Sequence, residues 1–128
     1  MDLGKCIASA LAIGVVSLSG CIVSTPTTPS NNSITWSTSL AGGSDPVGAQ
    51  LAFFCPPNGT PSTVWGTDIY SDDSSVCTAA VHAGIITFNG GMIRVQVQPG
   101  QAQYVASERN GVSTSDYGSW GRSFSFVP

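Results

Sequence analysis

Lysine is almost missing from this chain. Lys5 is the only one, and the other basic side chains are Arg94, Arg109 and Arg122. Phosphate-backbone binding scales with the number of neutralising cations, and three scattered guanidinium groups make no basic stripe, so nucleic acid is not an expected partner. The same shortage argues against a polycationic grip on phosphorylated lipid. Charged residues make up 9% of the sequence, against about 25% in typical soluble proteins, so the surface must be built from Ser, Thr, Gln, Asn and Gly. There is no internal repeat and no second long apolar run after the first residues. No Cys-x-x-Cys pair occurs, and Cys55, Cys77 and the single histidine, His82, supply too few ligands for a zinc site. No metal and no cofactor are expected.

What is present begins with an address. Lys5 precedes an apolar run from Ile7 to Leu18, closed by Ser19 and Gly20 before Cys21. That is the plan of a signal peptide, and it falls short of the roughly 20 apolar residues needed to cross a bilayer. Leu18-Ser19-Gly20-Cys21 resembles a bacterial lipobox, in which Cys21 is acylated and becomes the first residue of the mature chain. Ile22 is not the Asp that marks retention at the inner membrane, so the outer membrane is the expected destination. Residues 1–20 are accordingly read as signal peptide. Residues 21–33 are read as a lipidated Cys followed by a Ser/Thr/Pro tether, stiffened by Pro26 and Pro29. Residues 34–128 are the right size for one small domain.

With Cys6 in the signal and Cys21 at the acylation site, Cys55 and Cys77 remain. An even pair in an oxidising compartment reads as a disulfide, which contributes roughly 3 kcal/mol through restriction of the unfolded chain. A Cys77 nucleophile with His82 as base is disfavoured, since five residues along a helix place the two side chains about 140° apart.

Four segments read as strands: Val47 to Phe54, Val64 to Tyr70, Met92 to Gln98 and Ser123 to Val127. The third is the clearest, because Ile93, Val95 and Val97 alternate with Arg94, Gln96 and Gln98. Asp72-Asp73-Ser74 offers N-cap oxygens to a helix running to about Ala83, with Gly84 as the residue that stops it. Val76, Ala79, Ala80 and Ala83 form its apolar stripe, and such small side chains let a sheet approach closely, so a buried helix wrapped by strands is expected. Ser75, Thr78 and His82 share the opposite, polar stripe. Pro99-Gly100 and Asn110-Gly111 read as turns, the second as a hairpin.

The runs WGTDIYSDDSSVCTAAVHAG (65–84), GGMIRVQVQPGQAQYVASERNGV (90–112) and YGSWGRSFSF (117–126) resemble the LCCL domain family. The likeness rests on Tyr70 to Ile85, Gly90-Gly91, the Val-rich strand to Val97, Tyr104, Asn110-Gly111, and Trp120 with Ser123-Phe124. It implies an α+β fold, a central short helix wrapped by antiparallel strands, and a binding module with no catalytic residues. The chain departs from the family in one respect. Members commonly carry four Cys, including a Cys-Pro-x-x-Cys, whereas here Cys55-Pro56-Pro57-Asn58-Gly59 lacks the second.

Candidate ligand-binding residues are His82, Tyr104, Arg109, Tyr117 and Trp120. His82 has a structural alternative, a hydrogen bond in the last turn of the helix. Tyr104, Tyr117, Trp65 and Trp120 could stack on sugar rings or serve as packing, and Trp36 could pack over the first strand. Asp72-Asp73 lacks the pattern of a calcium loop, and Asp68 with Asp73 has no evident common cleft for glycoside hydrolysis. The expected function is a lipid-anchored binding module of the bacterial envelope, with a glycan, a lipopolysaccharide component or an envelope protein as partner. The alternatives are a purely structural lipoprotein and a hydrolase using His82.

Overall fold

The computed structural model describes residues 33–128. The segments read as signal peptide, as acylated Cys21 and as most of the tether lie outside the described residues. The domain is α+β and mostly β. Its seven strands are β1 (Gln50–Cys55), β2 (Gly66–Thr67), β3 (Ile69–Ser71), β4 (Gly91–Gln101), β5 (Glu108–Arg109), β6 (Val112–Ser113) and β7 (Trp120–Phe126), with one helix, α1 (Val76–His82), between β3 and β4. A five-stranded antiparallel sheet runs in the order β1-β4-β7-β3-β2, and β5 and β6 form a separate hairpin.

The alternation along β4 does what it predicts: Ile93, Val95 and Val97 point into the core while Met92 and Arg94 face solvent. The inward residues meet a helix buried along its whole length. Val76, Cys77, Ala79, Ala80 and Val81 share one core with Tyr70, Ile93, Val95, Val112 and Phe124. Cys77 is bonded to Cys55, which ties the first turn of the helix to the end of β1. Trp36 belongs to this core rather than lying over the first strand. It packs on Phe88, lies flat against Gly59, and donates its indole N–H to the Pro56 carbonyl at 2.8 Å.

A helix buried on all sides must find partners for its end groups inside the protein. Ser75, not the Asp72–Ser74 run, is the N-cap: its Oγ accepts from the Thr78 amide at 3.1 Å and donates to the Trp36 carbonyl at 2.7 Å. The Ser75 and Val76 amides donate to the carbonyls of Thr63 and Thr38. At the other end Gly84 has φ +82°, its amide donates to the Val81 carbonyl, and the Ile85 amide donates to the Ala80 carbonyl. Those two bonds make a Schellman stop, so Gly84 has the role its position implies.

Two further expectations are corrected. The strand read as Val64 to Tyr70 is broken at Asp68, whose φ of +69° reverses the chain between β2 and β3. Pro99-Gly100 is not a turn; both residues lie inside β4, where Pro99 faces Arg122 of β7. Gly100 is needed for close approach, because a Cβ there would stand 2.2 Å from the Trp120 carbonyl oxygen. The polar stripe of Ser75, Thr78 and His82 is buried, as the expected buried helix requires, and its side chains bond to Trp36, Ser62, Tyr70 and Ser107. Asn110-Gly111 is the expected hairpin turn, with φ of +53° and +80° between β5 and β6.

Candidate functional site

His82 sits at the end of α1 with no exposed surface. Its Nδ1 lies 2.9 Å from the Tyr70 hydroxyl and its Nε2 lies 3.1 Å from Ser107 Oγ. Ser107 Oγ is in turn 2.5 Å from Thr67 Oγ1, which donates to the Val105 carbonyl at 2.8 Å. Burial lowers the His82 pKa, and the nearby Arg109 guanidinium lowers it further. Burial raises the Tyr70 pKa, against a hydrogen bond from the Asp68 backbone that favours the phenolate. Because the Thr67 proton is spent on Val105, Ser107 donates to Thr67 and is left to accept from the ring, so the network assigns the ring proton to Nε2, aimed at Ser107, with Nδ1 accepting from the Tyr70 hydroxyl. A ring in that tautomer is a donor toward the hydroxyl and not a base for it. The arrangement joins helix, sheet and the β5 loop through a satisfied chain of buried polar groups. It also removes His82 from the residues a ligand in solution could touch.

Tyr104 is buried as well. Its hydroxyl accepts from the Gln101 amide at 3.1 Å and donates to the Trp120 carbonyl at 3.2 Å, and burial raises its pKa. Its backbone pairs with that of Tyr117, which is 37% exposed. Tyr117 is the middle ring of a contiguous row: its centroid is 5.8 Å from Trp65 and 5.5 Å from Trp120. Trp120 is fixed by a 2.7 Å bond from its indole N–H to Oδ1 of Asp72, a nearly buried carboxylate. Oδ2 of Asp72 accepts from Arg122 Nε at 3.3 Å, and Arg122 also donates to the Asp45 carbonyl.

Arg109 stands apart from that row in a solvent-exposed ion pair with Asp68, at 2.7 Å. Asp73 accepts from Ser71 Oγ, and its partnering gives it no role opposite Asp68. Of the five residues singled out in the sequence, then, Tyr117 and Trp120 come together at the surface, His82 and Tyr104 are inside, and Arg109 is alone with Asp68. Sequence reasoning missed Asp72 and Arg122 as the groups that orient Trp120. The pair was written in the charge pattern, since Arg122 is one of very few cations, but its carboxylate lies 50 residues away.

The described residues thus form one small, mostly β domain, crosslinked by a disulfide around a sealed central helix, with an aromatic row at its surface. It belongs to the LCCL domain family, whose model matches residues 34–124. Clotting factor C of Tachypleus tridentatus is 39% identical over 84 residues, covering 64% of this chain and 8% of that protein. Human vitrin is 46% identical over 61 residues, 48% of this chain and 9% of vitrin. Human cochlin is 38% identical over 71 residues, 53% of this chain and 13% of cochlin. The chain therefore spans only a small part of the curated relatives it matches.

Proposed function

We propose that this chain is a non-catalytic binding module of the bacterial cell envelope, anchored at the outer membrane through an acylated Cys21 and extended from it on the residue 21–33 tether. The observation that carries the non-catalytic part is the condition of His82, the single histidine of the chain. It is the one side chain whose ordinary pKa suits acid–base work near neutrality, and both of its ring nitrogens are engaged in the interior. Membership in a family of interaction modules supports the reading. The anchor rests on the Leu18-Ser19-Gly20-Cys21 sequence, and several buried acyl chains at about 0.8 kcal/mol per CH₂ would make it effectively permanent.

The test has two arms. Cells making the protein are labelled with palmitate, and the label should disappear in a Cys21→Ala variant. The purified, detergent-dispersed protein should be retained on immobilised envelope material. Absence of label sinks the anchor; absence of retention sinks the binding role and favours a purely structural lipoprotein.

A further inference from the structure

The geometry points to the Trp65–Tyr117–Trp120 row and the hollow beside Trp120 as a site for a neutral polysaccharide chain. The inference rests on the binding-module reading and names the surface and ligand class for it. The row is contiguous, as its two centroid separations of 5.8 and 5.5 Å require, and it reaches solvent at Tyr117. Because the only polar atom of Trp120 is committed to Asp72, the rest of that indole has nothing to offer except its apolar surface.

A hollow of about 410 Å³ adjoins the row, lined by Trp120, Asp72, Arg122 and the bare backbone of Gly42 and Gly121. That volume is in the range of small-ligand sites. Neither packing nor backbone conformation asks for glycine at position 121. It lies inside β7, outside the positive-φ set, and a Cβ there would meet nothing within 4 Å. Glycine weakens a strand interior, so its presence on the open side of β7 fits a place where a ligand comes close to the backbone.

The polar groups select the ligand. The Asp72 carboxylate is spent on Trp120 and Arg122, which leaves the hollow with little net charge and the part-exposed Arg122 guanidinium as its polar edge. A sugar hydroxyl can accept from that guanidinium while the sugar ring rests on the apolar aromatic surface beside it. An anionic polymer would meet Asp72 here and Asp116 in a second hollow on the far side of Tyr117.

The test is titration of the purified protein with soluble malto-, cello-, chito- and β-1,3-gluco-oligosaccharides, followed by tryptophan fluorescence and calorimetry. At least one series should bind, more tightly as the chain lengthens. Tyr117→Ala should weaken it by about tenfold, the equivalent of one lost aromatic contact. Gly121→Ile should weaken it at least as much, because the new side chain fills the hollow, while the melting temperature holds or rises since a β-branched residue suits the strand. Binding that both variants leave unchanged overturns the site. Failure of every series, from protein still retained on envelope material, overturns the neutral-glycan assignment and leaves the binding-module reading standing. A proline-rich peptide or an anionic polysaccharide bound at the row in place of the neutral series also overturns it. Loss of both oligosaccharide binding and envelope retention takes the two readings down together.

Discussion

Around His82, Tyr70, Ser107 and Thr67 pass hydrogen bonds from one to the next until the last proton reaches a backbone carbonyl. Around Trp120, the contacts run from Arg122 through Asp72 to the indole, and from there through Tyr117 into solvent. Both clusters mix aromatic rings with polar side chains, yet one closes on itself and the other stops at the surface. Burial enforces the difference. A polar group with no access to water must be satisfied within the protein, so the inner cluster is complete; an aromatic ring at the surface has no such obligation. The inner cluster is therefore expected to control stability, and the outer one recognition.

The largest test of that division is removal of the crosslink. Cys55 and Cys77 are both fully buried and 22 residues apart in sequence. Loop-closure entropy for that separation puts the loss for a Cys55→Ala, Cys77→Ala double variant at about 3 to 4 kcal/mol. Urea unfolding of the two proteins measures it directly. A loss under about 1 kcal/mol would mean that the unfolded chain is already restrained there by other contacts.

His82→Ala comes next. It leaves a void in the core and the Tyr70 hydroxyl without its partner, and should cost about 2 to 3 kcal/mol. The same residue sets a pH dependence. Burial and Arg109 lower its folded pKa, so between that value and about 6.5 the unfolded chain takes up a proton that the folded one refuses. Stability from this group is fully present above about pH 6.5, is lost as the pH falls through that value, and levels off only below the folded pKa. Thermal melts from pH 7.5 down to 5 should show the fall, and His82→Gln, which cannot titrate, should flatten it. Oligosaccharide binding at pH 7.5 should survive His82→Gln; its loss would erase the distinction between the two clusters.

These contrasts were unevenly legible in the sequence. The β4 strand could be read because alternation is a local signal, and the end of the helix because Gly84 follows the apolar stripe directly. The crosslink followed from counting. The wrapping of strands around the helix was legible in its Ala-rich stripe, and the resemblance to the LCCL family implied the same arrangement. Asp72 was misread as a helix cap because a carboxylate ahead of a helix ordinarily is one, and its true partners, Trp120 and Arg122, lie 48 and 50 residues on. A structural hydrogen bond for His82 was legible from its place in the last turn of the helix, but its partners were not, because the hydroxyls come from Tyr70 and Ser107 on other elements. Pro99-Gly100 carried a turn signal, but the proximity of β7 gave the glycine a different use. Local grammar was readable wherever it acted alone, and failed where a distant strand competed with it.

Asn110 offers a test at the boundary between the clusters and their connecting hairpin. It holds a left-handed conformation, and its Nδ2 donates to the His82 carbonyl at 2.9 Å, satisfying one of the last carbonyls of α1. Asn110→Ala forfeits that bond and the tolerance of Asn for positive φ, and should cost about 1 kcal/mol. Asn110→Gly, which keeps the conformation without the bond, should recover part of it. If both variants cost the same, the hydrogen bond carries the effect and the backbone preference does not.

The smallest effect is expected at Arg109, although the sequence nominated it as a ligand contact. Its partner Asp68 and its own side chain are both well exposed, at 68% and 45%. A pair of that kind contributes about 0 to 1 kcal/mol and is screened by salt. Arg109→Gln should therefore lower stability by no more than about 0.5 kcal/mol, and that difference should vanish in molar salt. It should also relieve the His82 ring of a nearby positive charge, raising its folded pKa toward the unfolded value, so that the acid-induced loss of stability becomes smaller and levels off at a higher pH. Oligosaccharide affinity should not change, because Arg109 does not line the hollow beside Trp120. An Arg109→Gln variant that folds normally but loses binding would move the recognition surface from the aromatic row to the β5–β6 hairpin. The open cluster would then be the structural one.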